Sequence, residues 1–166
     1  MIFGMSLTAF TQLHVALSII GIVAGFAVAF ELLRSRRSSR WTVAFLATTI
    51  LTSVTGFLFP FTQVLPSHVF GVISLAVLAL TIVALYLMQL RGAWRWIFVV
   101  SALFALYLNV FVLVVQAFLK VDALKPLAPT QTELPFFIAQ GVVLLLFIAL
   151  IVGGVRSFRP PAPSLQ

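Results

Sequence analysis

The chain has 166 residues, 63% hydrophobic and 8% charged, with a formal net charge of +7 and a mean hydropathy of +1.23. Soluble domains commonly carry charge on about a quarter of their residues, so a water-facing globule is excluded and most of this surface must meet lipid. The basic residues fall in short runs between apolar segments, the pattern of topology signals, which argues against a nucleic-acid surface.

Five segments are long enough to cross a bilayer core, which takes about 20 apolar residues, so the sequence predicts an all-α integral membrane bundle of five transmembrane helices. The first, Ala9–Leu33, has no basic residue before it and its arginines lie on the far side, so it reads as a span and not a signal peptide. His14, Ser18, Gly21, Gly25 and Ala29 recur on one face of it, a stripe of small residues with a histidine at the top. Thr11 is the expected cap, and Glu31 sits three residues before Arg34, placed for an interfacial ion pair. After RSRRSSR comes span two, Trp41–Phe59, with Thr49, Thr52 and Gly56 on one face. PFTQVLP leads to span three, Ser67–Leu90, where Ser67 is the expected cap, His68 follows it, and Gly71, Ser74 and Thr81 share the adjoining face. RGAWR leads to span four, Trp96–Leu119, with Ala102, Ala105, Asn109, Val112 and Gln116 on one stripe. The connector KVDALKPLAPTQTEL carries Val121, Leu124 and Leu127 at helical spacing and is expected to lie flat on the membrane surface. Span five, Pro135–Val155, carries Gln140, and the Pro-rich tail, residues 156–166, reads as disordered.

Arg34, Arg36, Arg37, Arg40, Arg91, Arg95, Arg156 and Arg159 all fall on one side of a five-span chain, against Lys120 and Lys125 on the other. The positive-inside rule then puts the N-terminus outside and the C-terminus in the cytoplasm. Trp41, Trp94 and Trp96 sit beside the arginines, at the level where amphipathic rings favour the headgroups.

Polar side chains within spans mark either a site or a helix contact. Here they gather towards the outer leaflet: Gln12, His14, His68, Asn109, Gln116 and Gln140, with Lys120 and Lys125 at the same end. Spans one and three are parallel, so His14 and His68 can face each other at similar depth as the axial ligands of a b-type haem, its propionates directed to Lys120 and Lys125. The same imidazoles, with a neighbouring Gln or Asn, could instead hydrogen-bond a quinone and exchange its protons. The bland reading gives Asn109, Gln116 and Gln140 to helix–helix hydrogen bonds and makes the protein a non-catalytic accessory subunit of a larger membrane complex. Transport is the weaker alternative, since no span has a mid-depth carboxylate and no inverted repeat is visible.

The absence of cysteine removes disulfides, thiolate metal sites and cysteine nucleophiles. No HExxH, GxSxG or intramembrane acidic pair is present. An enzyme of soluble type is therefore not expected, and electron transfer is the most that this inventory allows. The expected partners are the lipid bilayer and other membrane subunits or further copies of the chain. The segments ALYLNVFVLVVQAFLK and LAPTQTELPFFIAQGVVLLLF resemble a group of uncharacterised small polytopic bacterial inner-membrane proteins. The resemblance implies a multi-pass inner-membrane location and assigns no function to any residue.

Overall fold

A computed structural model of the chain describes residues 2, 4–37, 39–60 and 66–159. Their regular structure is helical apart from one Ile2–Met5 bridge: α1 (Leu7–Leu33), α2 (Ser39–Gly56), α3 (Pro66–Ile82), α4 (Trp94–Lys120) and α5 (Leu134–Ser157). A π-helical turn, Val83–Leu87, closes α3, and a 3-10 turn, Lys125–Leu127, interrupts the connector before α5. The second connector, PFTQVLP, and the tail beyond residue 159 lie largely outside the described residues.

The helix ends follow local chemistry. Ser6, not Thr11, caps α1, its hydroxyl accepting from the Ala9 N–H at 3.2 Å. Thr11 lies inside the first turns, where its hydroxyl donates to the Leu7 carbonyl at 2.8 Å. Ser35, at φ 55°, turns the chain out of α1 while the Arg36 N–H reaches back to the Glu31 carbonyl at 2.8 Å. Helix α3 starts at Pro66, which puts Ser67 inside the first turn instead of at the cap. Glu133 precedes α5, and Pro135 fits its first turn, where an N–H would have no helical partner.

Helices α1 to α4 form a closed ring in which each packs on its sequence neighbour and α4 packs back on α1, while α5 lies outside against α4 and α1. The core is apolar and dense around Phe45, Leu46, Leu78, Phe98, Leu103 and Leu106. Gly25 is needed here: a Cβ on it would lie well inside contact distance of Leu106 Cδ1 and 3.0 Å from the Phe45 ring. A second cluster of Phe118, Ala128 and Phe136 fastens the long connector to the end of the bundle.

Burial is inverted relative to a soluble protein. Thr49 and Thr81 are 0% exposed and Ser101 3%, whereas Val23, Val72 and Leu145 are 58%, 59% and 68% exposed. An apolar coat over a core that holds hydroxyls is the arrangement expected in lipid, where inward polar groups bond between helices. Four helices are long and apolar enough to cross a membrane: Leu7–Leu33, His68–Leu87, Trp94–Lys120 and Leu134–Ser157. The remaining expected span, Trp41–Phe59, corresponds to α2, whose helix ends at Gly56 and which is not among the four.

The arginine-bearing connectors meet at one end. The Arg95 guanidinium donates to the carbonyls of Val155 and Phe158. The Ser35 hydroxyl donates to the Arg159 carbonyl at 3.2 Å and accepts from the Arg159 N–H at 2.9 Å. Arg34 lies 3.9 Å over the Phe30 ring.

Candidate functional site

The polar residues of the opposite end divide into an oriented histidine and a set of helix ties. Nδ1 of His14 lies 2.8 Å from the Thr55 hydroxyl. That hydroxyl has one proton and two carbonyls in reach, Leu51 at 2.7 Å and Thr52 at 3.1 Å. With the proton engaged there, Thr55 Oγ1 accepts from Nδ1–H, and the other ring nitrogen, Nε2, keeps its lone pair. This is the tautomer needed to accept a hydrogen bond or ligate a metal through Nε2. The ring is also held by shape. Phe59 meets it edge-on at 5.2 Å, Phe10 packs on Phe59 at 5.0 Å, and a Cβ on Gly56 would stand 3.7 Å from His14 Cε1.

His68 reaches the same turn of α2 from another helix. Its ring lies 5.8 Å from Phe57, which in turn packs so closely on Gly71 that a Cβ there would be 2.8 Å away. Both histidines therefore contact the end of α2, His14 through Thr55 and Phe59 and His68 through Phe57. Their helices stand at opposite corners of the ring. His14 is seven residues into α1, about 10 Å along its axis, and His68 two residues into α3, about 3 Å.

The remaining candidates lie apart from these rings. Asn109 Nδ2 donates to Thr49 Oγ1 at 3.2 Å, and Gly21 faces the same spot, where a Cβ would be 3.2 Å from that oxygen. This tie joins α1, α2 and α4 at mid-height. Gln140 Nε2 donates to the Phe111 carbonyl at 3.2 Å, binding α5 to α4, while its buried Oε1 and the Thr52 hydroxyl have no partner among the described residues. Gln12 is exposed on α1, and Gln116 is half-buried on α4. Lys120 is exposed at the close of α4. Lys125 pairs with Asp122 at 2.9 Å on the surface. Among the described residues no group of three or more His, Cys, Asp or Glu could hold a metal ion.

Sequence reasoning did not single out Thr55, Phe57 or Phe59. The segment TSVTGFLF carried a signal, since Thr52 and Thr55 share the face of Thr48 at helical spacing and Gly56 follows directly. The long connector is a structured cap: Gln131 Nε2 donates to the Val115 carbonyl at 3.1 Å and Ala128 is 1% exposed. No protein-family model matches the chain, nor does any curated protein or solved structure, so no function is carried to it from a relative.

Proposed function

We propose that the chain is a small ligand-binding or redox module of a bacterial inner membrane, whose working group is His14 and whose ligand is a quinone or a like lipid-soluble carbonyl compound near the outer leaflet. The observation that carries this reading is the Nδ1–Thr55 hydrogen bond, which holds the imidazole and, with the Thr55 proton on the Leu51 carbonyl, leaves Nε2 as acceptor. Such a nitrogen can take a proton from a quinol hydroxyl, and a protonated ring can return it to a quinone oxygen. Phe59, held from behind by the buried Phe10, suits a flat, apolar ring.

Five crossings, outside at the N-terminus and cytoplasmic at the C-terminus, belong to the same proposal. Helix α2 runs from the arginine end to the histidine end, and its 18 residues cover about 27 Å. Its outward residues Val43, Leu51 and Val54 are 50%, 48% and 43% exposed, while Thr42, Thr49 and Ser53 point inward. The second reading is a b-type haem ligated by His14 and His68, favoured by the contact of both rings with the segment that follows α2, Phe57 to Phe59. An accessory role is supported by the cross-helix pairs Ser53–Ser74 at 3.1 Å, Thr81–Ser101 at 2.9 Å and Asn109–Thr49, which have a packing purpose without any ligand.

The test is one purification with two readouts: a visible spectrum, air-oxidised and then dithionite-reduced, and solvent extraction of bound quinone. Bound quinone near one per chain, lost in His14→Ala, supports the quinone reading. A Soret band that sharpens on reduction supports the haem. Neither signal, in protein made with both cofactors supplied, leaves the accessory role. Because the chain has no cysteine, single-cysteine variants at Thr130 and Ser157 report topology directly. Labelling of Thr130→Cys from the outside and of Ser157→Cys only after permeabilisation is expected for five spans.

A further inference from the structure

The arginine end holds a cleft at the edge of the core, away from both histidines. It measures about 390 Å³ and lies between the connector after α1, the first turn of α2 and the π-helical close of α3. Arg37, Ser39, Thr42, Tyr86 and Gln89 supply its polar lining, and Leu85 and Leu90 its apolar lining. None of the lining residues is acidic.

The cleft follows from how α3 ends. From Val83 to Leu87 the helix widens to a π-turn, with the Met88 N–H on the Val83 carbonyl at 2.9 Å and the Leu90 N–H on the Ala84 carbonyl at 3.0 Å. Gln89 and Leu90 then take left-handed backbone, φ 51° and 59°. That reversal turns Leu90 inward, 9% exposed, and leaves Tyr86 54% exposed beside it. A π-turn followed by two left-handed non-glycine residues is held against local preference, and such distortions tend to serve a site. The Gln89 side-chain oxygen accepts from Arg91 at 2.9 Å, which leaves its amide N–H groups as donors.

We propose that this cleft seats the phosphodiester of an anionic phospholipid. The guanidinium of Arg37, the hydroxyls of Ser39 and Tyr86 and the Gln89 amide are all hydrogen-bond donors suited to phosphate oxygens. Leu85 and Leu90 give the start of the acyl chains an apolar bed, which free phosphate would not use. Basic pockets between helices at the cytoplasmic face commonly bind such headgroups. The proposal needs the bundle to stand in a bilayer, and it is independent of what His14 binds.

The experiment is native mass spectrometry of the full chain released from nanodiscs holding equal phosphatidylglycerol and phosphatidylcholine. The expected result is about tenfold preferential retention of phosphatidylglycerol. Arg37→Gln should lower it to near parity and Tyr86→Phe should weaken it several-fold. Arg156→Gln, which removes the same charge from the same end outside the cleft, should leave it unchanged. Equal losses in Arg37→Gln and Arg156→Gln would mean general attraction of anionic lipid and overturn the site. Displacement by millimolar inorganic phosphate would mean a free-phosphate site and overturn the lipid assignment. Circular dichroism and size exclusion matching the parent confirm that the exposed Arg37 and Tyr86 were changed without loss of fold. Recovery of the chain in the soluble fraction would instead refute the membrane reading itself.

Discussion

The packing of α1 against α2 and α4 makes a pair of glycine substitutions informative. Gly25→Ala and Gly141→Ala both replace a mid-helix glycine, so both gain the same helix propensity, about 1 kcal/mol. Their surroundings differ. A methyl at Gly141 meets nothing within 4 Å, whereas one at Gly25 collides with Leu106 and touches Phe45 at 3.0 Å. Ordinary carbon contacts sit near 3.5 Å. Leu106 is the flexible partner, but it is 0% exposed and Phe45 1%, so neither can swing into open space. Overpacking of this kind costs about 1–3 kcal/mol. Gly141→Ala should therefore stabilise the protein by up to about 1 kcal/mol, and Gly25→Ala should be neutral to about 2 kcal/mol destabilised. The gap between them, about 1–3 kcal/mol, isolates the packing term because propensity cancels. Reversible unfolding by dodecyl sulfate in mixed micelles, followed by circular dichroism, measures both. Equal stability of the two variants would refute the close crossing of α1, α2 and α4.

Other substitutions test separate ties. A double-mutant cycle on Thr49→Val and Asn109→Leu should give a coupling of about 0.6 kcal/mol and no more than about 1.7 kcal/mol, the range for hydrogen bonds between membrane helices; zero coupling would mean the 3.2 Å contact is not formed. Thr55→Val should change global stability by less than about 1 kcal/mol yet weaken retention of any ligand on His14 about 10- to 100-fold, as loss of an orienting partner does; unchanged retention would remove Thr55 from the site. Arg95→Gln frees the carbonyls of Val155 and Phe158 and should raise the rate of tryptic cleavage after Arg156; an unchanged rate would argue against the tie. Glu133 gives a pH test. Desolvation raises its pKa, but the Thr130 hydroxyl at 2.8 Å and the Thr130 and Thr132 N–H groups together outweigh that and hold it below its ordinary value. A depressed folded value means the contribution is complete above the unfolded pKa, about 4.3, and disappears as pH falls through the folded one. The thermal stability gap between the parent and Glu133→Gln should be constant above about pH 5 and close in more acidic buffer; a gap that widens there would reverse the assignment.

The limits of the sequence show most clearly at α2. Its segment reads as a span by length, yet its hydroxyls lower its mean hydropathy, because a hydropathy average weighs residues without regard to the face they occupy. In the structure those hydroxyls, Thr52 apart, are engaged within the helix or across to its neighbours. Thr48 donates to the Ala44 carbonyl at 2.6 Å and Thr55 to that of Leu51 at 2.7 Å, which satisfies them within the helix. Ser53 bonds to Ser74 on α3, Thr49 accepts from Asn109 on α4, and Thr55 holds His14 on α1. Helix α2 is thus hydrogen-bonded to each of the other three members of the ring. The small-residue stripe of α1 was legible, because Gly21 and Gly25 at helical spacing have no other use than close approach. The partners of that stripe were not, since nothing local tells which helix stands opposite. The expected facing of His14 and His68 failed to specify the site for the same reason: parallel direction and similar end position do not say whether two helices are neighbours or opposite corners. What links the two histidines is the turn from Thr55 to Phe59, the least helix-like part of its segment, and it joins an oriented imidazole, two aromatic contacts and a glycine within five residues. A packing helix needs none of these to be so placed, since Asn109–Thr49 and Ser53–Ser74 already hold α2. The surplus of ordered chemistry at one end, beyond what cohesion requires, is the physical ground for seeking a ligand there.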